Sequence, residues 1–148
     1  MKVSYVAPIK GEHLDISLAP DETFREGLLG PGFVIYPKDH QVYAPIEGKI
    51  SLLFPTHHAI AITDAHGLNI LIHVGFGTVD LKGEGFTVHK KLHDDVKQGD
   101  LILSFDYAFL REHAFSLATA VVFLQKKVLT IIDQKEINQY THMTLNIE

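Results

Sequence analysis

Apolar residues in this chain fall into short runs, many of them β-branched, broken by Gly, Pro and Asp about every eight to twelve positions. That spacing predicts an all-β sandwich or barrel rather than strands alternating with helices. Predicted strands are Val3–Ala7, Gly32–Pro37, Gln41–Ala44, Gly48–Phe54, His58–Thr63, Leu68–Val74, Leu101–Phe105, Ala120–Leu124 and Val128–Ile132. One short helix is predicted over Tyr107–Leu117, where Phe109, Leu110, His113, Ala114 and Leu117 recur at helical spacing behind an Asp106 cap. The run Ala7-Pro8-Ile9-Lys10-Gly11 returns as Ala44-Pro45-Ile46-Glu47-Gly48, an echo of one turn-then-strand unit.

The segment from Phe54 to Phe86 is the richest. Two apolar stretches, His58–Thr63 and Leu68–Val74, flank Asp64-Ala65-His66-Gly67, where Asp and Gly suit a hairpin turn. With the hairpin centred between Ala65 and His66, His58 lies directly opposite His73, their Cβ atoms about 4.5–5.5 Å apart. Strand parity then excludes His57 and puts Thr56 on the face of His58. The same register pairs Ile60 with Leu71 beside the histidines, an apolar surface suited to a transient protein partner. It turns Ala59 with Ile72, and Ala61 with Ile70, towards the core.

Composition narrows the function classes. One domain over residues 1–148 is the expected organisation, and 46% hydrophobic residues suffice for a core. A net charge of −5 with no Lys/Arg cluster argues against nucleic-acid binding. No apolar run reaches the roughly 18 residues that span a membrane, so no membrane insertion is expected. Cysteine is absent, which removes disulfides, thiolate chemistry and Cys-based zinc sites, and a cytoplasmic protein is expected. Ten histidines direct attention to imidazole chemistry. His13, His40, His57 and His66 read as ordinary surface residues. His89 and His93 lack the glutamate of a zincin pair.

Several segments together resemble one family. Ala44-Pro45-Ile46-Glu47-Gly48, Thr56-His57-His58-Ala59, Ile72-His73-Val74-Gly75, Thr78-Val79, Leu81-Lys82-Gly83-Glu84-Gly85-Phe86 and Val96-Lys97-Gln98-Gly99-Asp100-Leu101 stand in the order and nearly the spacing of the glucose-type enzyme IIA domain of the bacterial phosphoenolpyruvate-dependent sugar phosphotransferase system. The resemblance implies an antiparallel β-sandwich, a barrel-sandwich hybrid with a duplicated motif. It implies a phosphocarrier that takes a phosphoryl group from phospho-HPr and hands it to an enzyme IIB partner, with no cofactor. His73 matches the phosphoryl acceptor, His58 its stabilising partner and Thr56 the residue that orients His58. Asp21 matches an acidic residue near the site, and Phe24, Phe54 and Leu71 match an apolar rim for partners. Two departures stand out. Gly77 occupies a position that is usually aspartate in a His-x-Gly-x-Asp-Thr-Val pattern, and Ala120-Val121-Val122-Phe123-Leu124 departs from the family's Pro-Val-Val-x-x-Asn.

Three other readings compete. A phosphorylation-dependent regulator would use the same patch. A zinc hydrolase would need a third ligand and a His-x-His element, although the pair His58 and His73 could form a weak zinc site. A biotinyl or lipoyl carrier would need a lysine within a hairpin-tip motif that this chain lacks.

Overall fold

The computed structural model describes residues 1–148. Its first strands are β1 (Lys2–Val6), β2 (Gly11–Asp15), β3 (Gly32–Pro37), β4 (Gln41–Tyr43), β5 (Gly48–Leu53), β6 (Ala59–Thr63) and β7 (Asn69–Phe76). Then come β8 (Phe86–Val88), β9 (Asp95–Val96), β10 (Leu101–Phe105), β11 (Ser116–Phe123), β12 (Leu129–Ile137) and β13 (Tyr140–Ile147). A four-residue helix, α1 (Glu22–Arg25), precedes β3, and α2 (Tyr107–His113) precedes β11. Seven strands build one sheet in the order β2-β3-β11-β7-β6-β5-β9; β1-β13-β12 and β4-β10-β8 form two smaller sheets. Every pairing is antiparallel. The main core lies between the large sheet and the small ones, joining Ile35, Ile62 and Val121 to Tyr5, Val42, Leu103 and Leu145. This is the expected antiparallel β-sandwich.

The echoed Ala-Pro-Ile-x-Gly turns occupy equivalent places. Each follows a short strand, buries its Ala and Ile, and opens the next strand at its Gly. They also bond to each other's strands reciprocally: the Val6 N–H donates to the Pro45 carbonyl and the Tyr43 N–H to the Pro8 carbonyl. The repeat is therefore a structural duplication whose two copies interlock.

The β6–β7 register corrects the sequence expectation by one residue. Thr63 pairs with Asn69 and Ala59 with His73, so the hairpin is centred on His66 and closes with a five-residue loop. Asp64 explains the loop: its Oδ1 accepts from the N–H groups of His66 and Leu68, 2.9 Å each, and Gly67 supplies φ +85°. The pattern of side chains explains the register. It sends Ile60, Ile62, Ile70 and Ile72, all fully buried, to the main-core face. Burying one such side chain contributes about 1.5–3 kcal/mol, so a one-residue slip of either strand is strongly disfavoured. Ile60 is consequently a core residue and not part of a docking surface.

Other differences have local causes. The predicted helix stops at His113, because Ser116 already pairs with Phe76 at the start of β11 and claims Leu117 for the sheet. Asp106 does cap it, accepting from the Phe109 N–H at 3.0 Å. β2 is mostly polar and escaped the apolar-run criterion. β13 alternates strictly, burying Thr141, Met143, Leu145 and Ile147, a period-two signal that was present in the sequence. His13 is no surface residue: its Nε2 lies 3.0 Å from the Tyr5 hydroxyl, and burial lowers its pKa to about 4.

Candidate active site at a histidine pair

His73 stands mid-strand in β7, and its neighbours on both sides are alanines, Ala59 on β6 and Ala120 on β11. Both are fully buried. Small residues there leave room above the sheet for an imidazole and a partner ring. The face is not open surface but a second, smaller core that includes Leu71, Ala61, Ala118, Val122 and Phe24. Leu71 therefore lies buried beneath the site, opposite Ala61, rather than on an exposed rim.

His58 reaches His73 by a route other than the one parity suggested. It lies just before β6, and His57 beside it adopts φ +62°, so period-two alternation does not extend to it. The two rings meet edge to face, centroids 4.8 Å apart at 83°. Thr56 Oγ1 lies 2.7 Å from His58 Nδ1, and Phe54 packs edge-on against His58 at 5.4 Å. His73 is flanked by Phe24 at 5.0 Å and stacked on Phe76 at 5.1 Å. Asp21 places Phe24 by capping α1, its Oδ1 accepting from the Phe24 N–H at 3.3 Å.

Thr56, His58 and His73 thus converge, with Phe54, Phe24 and Asp21 around them. His58, His73 and Asp21 share the wall of a depression of about 410 Å³. Asp21 is the one acidic group in that lining, which also includes Gly77, Val79 and Phe115. Phe115 was not foreseen. Its signal was a phenylalanine standing off the apolar stripe of the predicted helix.

The ring nitrogens divide cleanly. His73 Nδ1 is buried and makes no hydrogen bond, and His73 lines the depression. His58 Nδ1 is taken by Thr56, so its Nε2 is the free atom. Burial, and then the neighbouring His58, lower the pKa of His73 to about 4, despite the Gly75 backbone and Asp21, which favour the charged ring. Burial also lowers the pKa of His58, opposed by the Thr56 backbone. Both imidazoles are thus neutral at pH 7. A neutral His73 ring holds an available lone pair, and both rings line the same small volume.

No set of three or more His, Cys, Asp or Glu side chains gathers to hold a metal ion. The zinc-hydrolase reading therefore lacks its third ligand. No helix is long and apolar enough to cross a membrane.

Residues 3–129 match the family model described as phosphoenolpyruvate-dependent sugar phosphotransferase system, EIIA 1. Among solved structures, glucose permease IIA from Mycoplasma capricolum aligns with a TM-score of 0.80 and 33% sequence identity, over 83% of this chain and 80% of that one.

Proposed function

The chain belongs to the EIIA 1 family of the phosphoenolpyruvate-dependent sugar phosphotransferase system and is a phosphocarrier in sugar uptake; from that premise we propose that His73 Nε2 is the atom that carries the phosphoryl group. The observation that carries the reading is the pair of imidazoles with ring centroids 4.8 Å apart on the wall of one depression, His73 Nδ1 being buried and His58 Nδ1 held by Thr56. The donor is the phosphohistidine protein HPr and the acceptor an enzyme IIB domain, with residues 1–148 acting as one cytoplasmic domain.

Phosphoryl transfer needs an aligned nucleophile and stabilisation of charge on the phosphoryl oxygens. The Nε2 lone pair of His73 attacks phosphorus, and the donor's N–P bond breaks with its electron pair returning to the donor imidazole. The His73 proton then resides on Nδ1. On His58, a Thr56 hydroxyl that donates to Nδ1 leaves the proton on Nε2, from which it donates to a phosphoryl oxygen. Removing one preorganised donor of this kind costs about 10²–10³ in rate. In transfer to enzyme IIB a nucleophile of that domain forms the new bond to phosphorus while the His73 Nε2–P bond breaks, its electron pair returning to the His73 ring.

The test is incubation with phosphoenolpyruvate, enzyme I and HPr, followed by intact mass. One acid-labile phosphoryl group is expected on the native chain and none on His73→Ala. A variant that still gains the group would refute His73 as acceptor.

A further inference from the structure

β12 is the edge strand of its sheet, paired with β13 on one side and with nothing on the other. It begins at Leu129, the last residue of the family match. The direction of its backbone groups follows from β13. Val128 and Glu148 exchange both of their N–H···O bonds, whereas the Ile147 N–H donates to Met1 and the Thr141 carbonyl accepts from Ala7. Even-numbered residues of β13 therefore bond towards β12, and odd-numbered ones towards β1. Opposite them Asp133, Lys135 and Ile137 bond to β13, so the N–H and C=O groups of Gln134 and Glu136 point out from the free edge. Such a row of unpaired groups is a template for another strand. Ile131, Ile132 and Ile137, 45%, 53% and 40% exposed, leave apolar surface beside it. Asp133 and Lys135 pair with Thr144 and His142, on the face turned away from the core. Neither charge has an ion-pair partner within the chain.

We propose that two copies of this chain pair β12 to β12, antiparallel about a twofold axis at Gln134, joining two three-stranded sheets into one of six strands. The charges select both the occupant and the register. With Gln134 opposite Gln134, Asp133 of each copy lies directly opposite Lys135 of the other, so opposite charges meet twice. Moving the axis to Asp133, Lys135 or Glu136 sets like charges face to face, which is destabilising. The backbone agrees with the same register. Gln134 bonds reciprocally to its counterpart through the groups that point outwards, and the Asp133–Lys135 pairs fall at non-hydrogen-bonded positions, where side chains approach most closely. Each Ile137 then comes beside the Ile131–Ile132 bulge of the other copy. A strand of another protein could satisfy the backbone, but the reciprocal order of signs belongs to a second copy. β13 packs into the main core, whereas His73 stands on the opposite face of the large sheet, so pairing leaves both histidine sites open.

The experiment is sedimentation velocity at rising concentration on the native chain, Asp133→Lys, Lys135→Asp and an equimolar mixture of the two variants. Far-UV circular dichroism checks that each is folded. The native chain is expected to dimerise, and each variant alone to show a dissociation constant raised about tenfold or more, because like charges replace both pairs. The mixture should recover the native affinity, since each variant supplies the sign that the other lacks. The double variant Asp133→Lys/Lys135→Asp should dimerise as the native chain does. A native chain that stays monomeric up to about 1 mM would overturn the proposal and leave the edge to a strand of another protein. Dimers equally tight in all samples would overturn it by placing the interface elsewhere. So would a mixture no tighter than its two components.

Discussion

Thr56→Val removes one hydroxyl and keeps the shape of the side chain, so it isolates the bond that aims His58. Thr56 Oγ1 lies 2.7 Å from His58 Nδ1, and His58 is only 4% exposed. With the hydroxyl gone, Nδ1 is left buried without a partner, at a cost of about 1–3 kcal/mol in the folded protein. The catalytic effect should be smaller than that of deleting the imidazole. His58→Ala removes the donor outright and is expected to slow loading by about 10²–10³. Thr56→Val leaves the ring in place, still packed against Phe54, but frees its tautomer and tilt. A loss of about tenfold is the expected size, equivalent to roughly 1.4 kcal/mol in the barrier. The assay is the loading rate of His73 from phospho-HPr at saturating donor, read beside ¹⁵N shifts of the His58 ring and a urea midpoint. Thr56→Ser, which retains the hydroxyl, should recover most of the rate and the native tautomer. Native kinetics in Thr56→Val with an unchanged His58 tautomer would refute the orienting role. Equal loss in Thr56→Ser and Thr56→Val would show that the methyl group, not the bond, matters.

Three further outcomes are expected. Gly77→Ala should lower stability by about 1–3 kcal/mol, since φ +73° and the 2.9 Å approach to Phe115 Cβ both oppose a side chain; chemical denaturation measures it. Ala120→Val should crowd the ring of its ladder partner His73, costing about 1–3 kcal/mol and slowing loading, while Ala118→Val, which has no such pairing with His73, should slow it less. In acid, His13 and His73 have folded-state pKa values of about 4 against an ordinary value of 6.5. The unfolded chain therefore takes up protons first, and stability that is complete above pH 6.5 is lost as pH falls towards 4. The loss is on the order of a few kcal/mol for the two together. Urea midpoints at pH 7, 5.5 and 4.5 should fall in that order, and a flat series would contradict the burial of these rings.

The sandwich and the Asp106 cap were legible because each rests on local spacing, and His58 and His73 through their match to the family's segments. The register was not, because a five-residue loop held by Asp64 and Gly67 looks in sequence like a four-residue one. The isoleucines carried the missing information: only the observed register gathers Ile60, Ile62, Ile70 and Ile72 on one face. The pair was identified even so, since His57 breaks the alternation ahead of β6 and returns His58 to the face of His73. Ile60 was misplaced for the same reason that the register was. Phe115 and Gly77 are an encounter between segments 38 residues apart, on which no local pattern bears.

The phosphocarrier reading assigns phosphorylation to one atom, His73 Nε2. The most direct measurement is a long-range ¹H–¹⁵N spectrum of the protein labelled at histidine, recorded before and after loading from phospho-HPr. His73 Nε2 alone is expected to acquire the shift of a phosphorylated nitrogen, with His58 changing only as a hydrogen-bond donor does. A phosphorylated nitrogen on His58, on His73 Nδ1 or on any other ring would contradict it.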